Sequence, residues 1–98
     1  MTANLLVDGA APASLAAAIE EHHPDILAVQ ELGPTTAGVV GSLLPHGRLD
    51  PQSHGFGLGI AARRPVRVDR LDLVERPGWI ATLDPTEWGF ERPFGVVN

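Results

Sequence analysis

Cysteine is missing from this 98-residue chain. Its absence excludes a disulfide framework, a thiol nucleophile and a thiolate metal site, so oxygen or imidazole ligands would have to hold any metal. The redox compartment stays open. Lysine is missing too: all seven basic residues are arginine. Together with abundant Ala, Gly and Pro, this usage reflects GC-rich coding rather than a binding surface. No apolar run approaches the ~20 residues that a membrane-spanning helix needs. The opening MTANLLVDGAAPASLAAAIEE superficially resembles a secretory leader, but it lacks a basic start and is interrupted by Asp8 and Gly9. A soluble chain, cytoplasmic by default, is the expectation. Low-complexity tracts and internal repeats are also absent.

Positive charge is scarce. A net charge of -5 and a pI near 5.1 argue against a general nucleic-acid binder, which carries a basic face, although a bound cation would alter that locally. At 44% hydrophobic and 19% charged residues, the composition is that of a folded globular chain. The length allows one small domain with a modest core, and it is short for an enzyme that must frame a deep cleft.

What is present is a sequence of short elements. Residues 2–7 (TANLLV) read as a strand that Asp8, Gly9 and Pro12 break. From Pro12 to about His23, the positions Leu15, Ala18, Ile19 and His22 follow helical spacing, with Glu20 and Glu21 on the polar side. Pro24 ends that helix. Residues 25–30 form a second strand, and the strand–helix–strand unit should be parallel. A weaker helix is expected over 35–44, with Thr35 or Thr36 near its start and Val39, Val40, Leu43 and Leu44 as its apolar face. After Pro45 the pattern is strands and turns throughout. In FGLGIAARR, Phe56, Leu58 and Ile60 share a face and Gly57 and Gly59 suggest close packing. VRVDRLDLV alternates cleanly except for a slip near Asp69 and Arg70, as at a bulge. GWIATLD and PFGVVN should pair as a hairpin around PTEWGFER.

The second strand poses the functional question. Ile26 to Val29 is an unbroken apolar run, yet it ends in Gln30 and Glu31. In a parallel unit the ends of both strands lie side by side, which brings Asn4 near Glu31. A carboxylate there either is the first solvated residue after the strand or meets a cationic partner. A hard divalent cation is one such partner, and Mg²⁺ suits a site with one carboxylate, an amide nearby, several waters and a substrate phosphate.

The combination of ANLL, a helix, HPDILAVQEL, the glycine-rich GFGLGIAARRPV and a late FGVVN resembles the amino-terminal half of the endonuclease/exonuclease/phosphatase superfamily. PDILAVQE at 24–31 is the most specific piece. The resemblance implies an α/β (α+β) fold, the amino-terminal half of a DNase I-like four-layer sandwich, with residues 1–98 as one partial domain. It implies that Asn4 and Glu31 are the catalytic and metal-site residues, with Gln30 as a supporting neighbour, and that the cofactor is Mg²⁺ or Mn²⁺. It also implies a phosphate-ester substrate: nucleic acid, a phospholipid head group or a small phosphoester. The family's later motifs depart from this chain. The His of N-x-H beyond VVN, the D-x-N and the terminal S-D-H do not occur in these residues, so an inactive phosphodiesterase half is expected. The rival expectation is a non-catalytic α/β interaction or scaffolding module.

Other candidates have competing explanations. His22 and His23 stand at a helix end, where an imidazolium is favoured by the last carbonyls. His46 and His54 flank a loop and read as solvated, although His54 could line a cleft. The Gly55, Gly57, Gly59 pattern lies in a strand with no helix after it, which excludes a dinucleotide loop. Arg63 and Arg64 read as a solvated pair before a phosphate clamp. Trp79 reads as core, and Trp88 as hairpin packing or a substrate contact.

Overall fold

The computed structural model describes residues 1–6, 9–72, 77–89 and 94–98. Its elements in chain order are β1 (Thr2–Asn4), α1 (Pro12–His22), β2 (Ile26–Gln30), α2 (Pro34–Leu43), β3 (His46–Asp50), β4 (Leu58–Ala62), β5 (Arg67–Asp72), β6 (Pro77–Leu83), α3 (Pro85–Trp88) and β7 (Phe94–Val97). They make a four-stranded sheet of order β1-β2-β4-β3 and a three-stranded sheet of order β5-β6-β7. β1 runs parallel to β2, and every other pairing is antiparallel.

β2 is the hub because it is apolar on both sides. Leu27 and Val29 face the helices, where Leu15 and Ile19 of α1, Val40 of α2 and Leu44 just beyond it complete one cluster. Ile26 faces the other way, against Ile60, Ala62 and the second sheet's Trp79, Ala81, Leu83 and Val96. Helices, first sheet and second sheet thus form three successive layers, and each large side chain so buried contributes roughly 1.5–3 kcal/mol.

Pro12 opens α1, and His23 closes it in the left-handed region at φ 45°, its N–H donating to the Ile19 carbonyl at 3.0 Å. The buried stripe is shorter than its spacing suggests: Leu15 and Ile19 are buried while His22 is exposed. α2 begins at Pro34 with Gly33 as its cap, one turn position before the expected threonines, and Thr36 is instead fully buried with its hydroxyl donating to the Gly33 carbonyl at 3.3 Å.

Four expectations need correction. The first strand covers only Thr2–Asn4. Leu5 still donates its N–H to the Gln30 carbonyl at 2.9 Å, but Leu6 turns at φ 50° and ends the pairing; Val7 and Asp8 lie outside the described residues. The bulge at Asp69–Arg70 does not occur. β5 and β6 pair without interruption from Arg67↔Thr82 to Asp72↔Pro77, so the slip in the pattern moves Leu71 to the face of Arg67 and Asp69 instead of kinking the strand. An outer strand tolerates this because that face stays open to water; Leu73 and Val74 lie outside the described residues. In FGLGIAARR the strand starts at Leu58, and Phe56 stays exposed in the preceding loop rather than sharing the packed face of Ile60. Helices also do not stop at Pro45. Asp84 caps α3, its carboxylate accepting from the N–H groups of Thr86 at 2.8 Å and Glu87 at 3.3 Å, and Gly89 closes the turn at φ 73°. The signal was in DPTE, a capping residue followed by Pro and then an acidic residue in the first turn.

Candidate functional site

Parallel pairing places Asn4 opposite Gln30, so the exits of β1 and β2 share one rim of the sheet. β4 runs the other way and enters at the same rim, with Leu58 opposite Gln30. There the Asn4 side-chain amide donates from Nδ2 to Glu31 Oε1 at 2.9 Å. The Asn4 Oδ1 accepts the N–H of Leu6 at 3.0 Å, which orients the amide with its donor toward the carboxylate. The second carboxylate oxygen of Glu31 makes no hydrogen bond among the described residues.

Glu31 reaches Asn4 on a left-handed backbone, φ 52°. That conformation costs roughly 1–2 kcal/mol for a residue with a Cβ. It persists because both neighbours are tied down. The Gln30 carbonyl accepts from Leu5, and fully buried Leu32 donates to the Gly57 carbonyl at 3.0 Å and accepts from Gln52 at 2.9 Å. Gly57 allows this approach, since a Cβ there would lie 2.0 Å from the Leu32 carbonyl oxygen. The glycine-rich stretch therefore shapes the rim as well as packing the core, where a Cβ on Gly59 would meet Leu49 at 2.5 Å and Val29 at 2.8 Å.

Gln30 sits beside this pair without bonding either member through its side chain. Its Nε2 donates to Asn98 Oδ1 at 2.6 Å and to the Thr2 hydroxyl at 3.2 Å. Asn98 in turn donates to the carbonyls of Val29 at 3.0 Å and Gly59 at 2.8 Å. The sequence drew attention to VVN as a strand leading elsewhere and missed Asn98 as a participant. Its only local signal was an amide ending an apolar run, the same signal that marked Gln30.

The remaining candidates lie elsewhere, with one exception. His22 and His23 end α1 before β2 begins, and His46 pairs with Ala62 at the far end of β4. Arg63 and Arg64 follow β4 at that far end, where Arg64 lies 5.8 Å over the Trp88 ring and donates to the Glu87 carbonyl at 3.2 Å. Trp88 is buried and donates from Nε1 to the Pro65 carbonyl at 3.0 Å, so it packs rather than reaching outward. Trp79 is core, with Arg48 at 5.0 Å over its ring. A concavity of about 520 Å³ bounded by Val66, Arg67, Leu83 and Asp84 also belongs to the far end. Leu83 is four residues along β6 from Trp79, about 13 Å at strand rise. The exception is His54, in the loop that returns to the rim at Gly57, its ring edge-on to exposed Phe56 at 5.4 Å.

The model of the endonuclease/exonuclease/phosphatase family matches residues 1–97. This chain belongs to that family. No curated protein matches it significantly. Membership accords with the mixed α/β architecture, two sheets and three helices among the described residues, a DNase I-like arrangement, and with a hydrolase-type family role on phosphoesters. No group of three His, Asp or Glu converges among the described residues, and none of their helices is long and apolar enough to cross a membrane. Glu31 nonetheless suits the family's general dependence on metal. Mg²⁺ is commonly held by one or two carboxylates with waters and substrate phosphate completing its shell, and Glu31 has an oxygen to offer.

Proposed function

We propose that the Asn4–Glu31 rim is the divalent-cation and phosphate subsite of a phosphoesterase domain whose amino-terminal part is residues 1–98. The 2.9 Å contact between the Asn4 amide and the Glu31 carboxylate carries this reading. It joins an amide donor and a half-buried carboxylate from the ends of two different strands, at the rim where the parallel pair β1–β2 presents its carboxyl ends. Glu31 would hold Mg²⁺ or Mn²⁺ through its carboxylate. A bound divalent cation supplies neutralisation of charge on phosphoryl oxygens. Asn4 orients Glu31 and, with its N–H donor, suits a phosphate oxygen or a cation-bound water. Gln30 supports the pair from the side.

The family's D-x-N and S-D-H motifs do not fall within residues 1–98, so binding is the property of the rim to test in these residues. The substrate class is a phosphate ester, whether nucleic acid, phospholipid head group or small phosphoester; the net charge of -5 disfavours duplex DNA. Titration with Mn²⁺, followed by loss of the free-ion paramagnetic resonance signal, tests the reading. Asn4→Ala should weaken binding by the roughly 10–100-fold typical of a lost outer partner, and Glu31→Gln by more. Equal affinity in wild type and Glu31→Gln would remove the cation site and leave the non-catalytic interaction module as the better account.

A further inference from the structure

Asn98 commits both its amide hydrogens and its side-chain oxygen at one place. Both amide hydrogens are used, on Val29 and Gly59, which are register partners in β2 and β4, and the oxygen accepts from Gln30 at 2.6 Å. Its main chain exchanges two 2.8 Å hydrogen bonds with Trp79 of β6. One residue therefore ties the second sheet to two strands of the first. Among the described residues, these are the only side-chain hydrogen bonds joining the two sheets. Elsewhere the interface is mostly apolar, formed by Ile26, Ile60, Val68, Trp79, Ala81 and Val96, with the Arg48 guanidinium 5.0 Å over the Trp79 ring. Apolar contact is non-directional, whereas three amide hydrogen bonds fix the relative placement of the two sheets at this point.

The tie is made at the rim. Gln30 immediately precedes Glu31, and its carbonyl already accepts from Leu5. With its side chain also held, the Gln30 peptide cannot rotate to relieve the left-handed backbone of the next residue. We infer that Asn98 is a positioning residue for the site: through Gln30 it locks the two sheets where the chain turns and keeps the Glu31 carboxylate aimed at Asn4. The functional weight of this role rests on the proposed cation and phosphate site, but the geometric claim does not.

The experiment compares wild type with Asn98→Ala and Asn98→Asp, with Trp88→Phe as a control. Asn98→Asp keeps an acceptor for Gln30 but turns a carboxylate oxygen toward the Val29 and Gly59 carbonyls. Trp88→Phe deletes a buried hydrogen bond at the far end and leaves the rim intact. Two signals are read by NMR at a temperature where every variant is folded: the Asn4 side-chain amide resonance and the Glu31 backbone coupling constant. Mn²⁺ affinity is read alongside. Both Asn98 variants should move the two NMR signals toward conformationally averaged values and weaken Mn²⁺ binding roughly 10–100-fold, while Trp88→Phe changes none of the three. Unchanged signals in the Asn98 variants, or equal changes in Trp88→Phe, would overturn the inference. Should Asn98→Ala not fold, Gln30→Met removes the link to Gln30 while keeping the bonds to both carbonyls, with the same outcomes expected. Wild type that binds no Mn²⁺ would defeat the cation reading alone, since the NMR comparison still decides the role of Asn98.

Discussion

Glu31 holds its carboxylate on a backbone that glycine would adopt without strain, at φ 52°. A residue kept in the left-handed region by its neighbours, at a place where a smaller one would be more stable, marks a site at which stability has been traded for a side chain. Replacing Glu31 by glycine relieves the strain, whereas alanine keeps it and loses the same hydrogen bond to Asn4. Glu31→Gly should therefore be more stable than Glu31→Ala by about 1 kcal/mol in urea unfolding, even after allowing for the greater freedom of glycine in the unfolded chain. An alanine variant at least as stable as the glycine variant would mean that the backbone is not held left-handed. Both variants should lose Mn²⁺ binding equally, which separates the conformational role of this position from its chemistry.

Among the elements, α3 shows how a short signal can be overlooked. Four residues are too few for a helix to persist by propensity, because nucleation costs more than a single turn returns. Asp84 supplies the missing stabilisation by accepting two N–H groups, and Trp88 anchors the other end through the Pro65 carbonyl and the Arg64 side chain above its ring. Asp84→Ala should lower stability by about 1 kcal/mol, as loss of a capping side chain does. Tryptophan fluorescence during denaturant unfolding would measure it. A variant as stable as wild type would show that Trp88 alone holds the turn. The uninterrupted β5–β6 pairing teaches the complementary lesson. Backbone hydrogen bonding and the packing of Val66 and Val68 against the first sheet outweigh one misplaced leucine, so a break in alternation need not become a bulge.

For the molecule as a whole, the second sheet ends in β7, whose outer side pairs with no other described strand and whose Val97 is 61% exposed. Open, apolar edges template pairing with other chains. Light scattering over rising concentration should show self-association in wild type and less of it in Val97→Lys; equal masses at every concentration would place the contact elsewhere. The layered architecture was largely readable beforehand, because apolar runs of strand length, proline and glycine punctuation and helical spacing are local patterns that survive in one dimension. PDILAVQE and the strand–helix–strand unit thus place Asn4 beside Glu31 from pattern alone, since parallel strands must end together. Local pattern could not announce the amide of Asn98 meeting Gln30 across 68 positions, because a single polar side chain at a strand end looks the same whether it faces water or bridges two sheets. Nor could it show the left-handed turn of Glu31, which no preference of glutamate produces. The sequence alone determined which residues stand at the rim; only the tertiary structure decided how they are aimed, because hydrogen bonds with Leu5, Gly57, Gln52 and Asn98 hold the chain in a conformation it would not choose by itself.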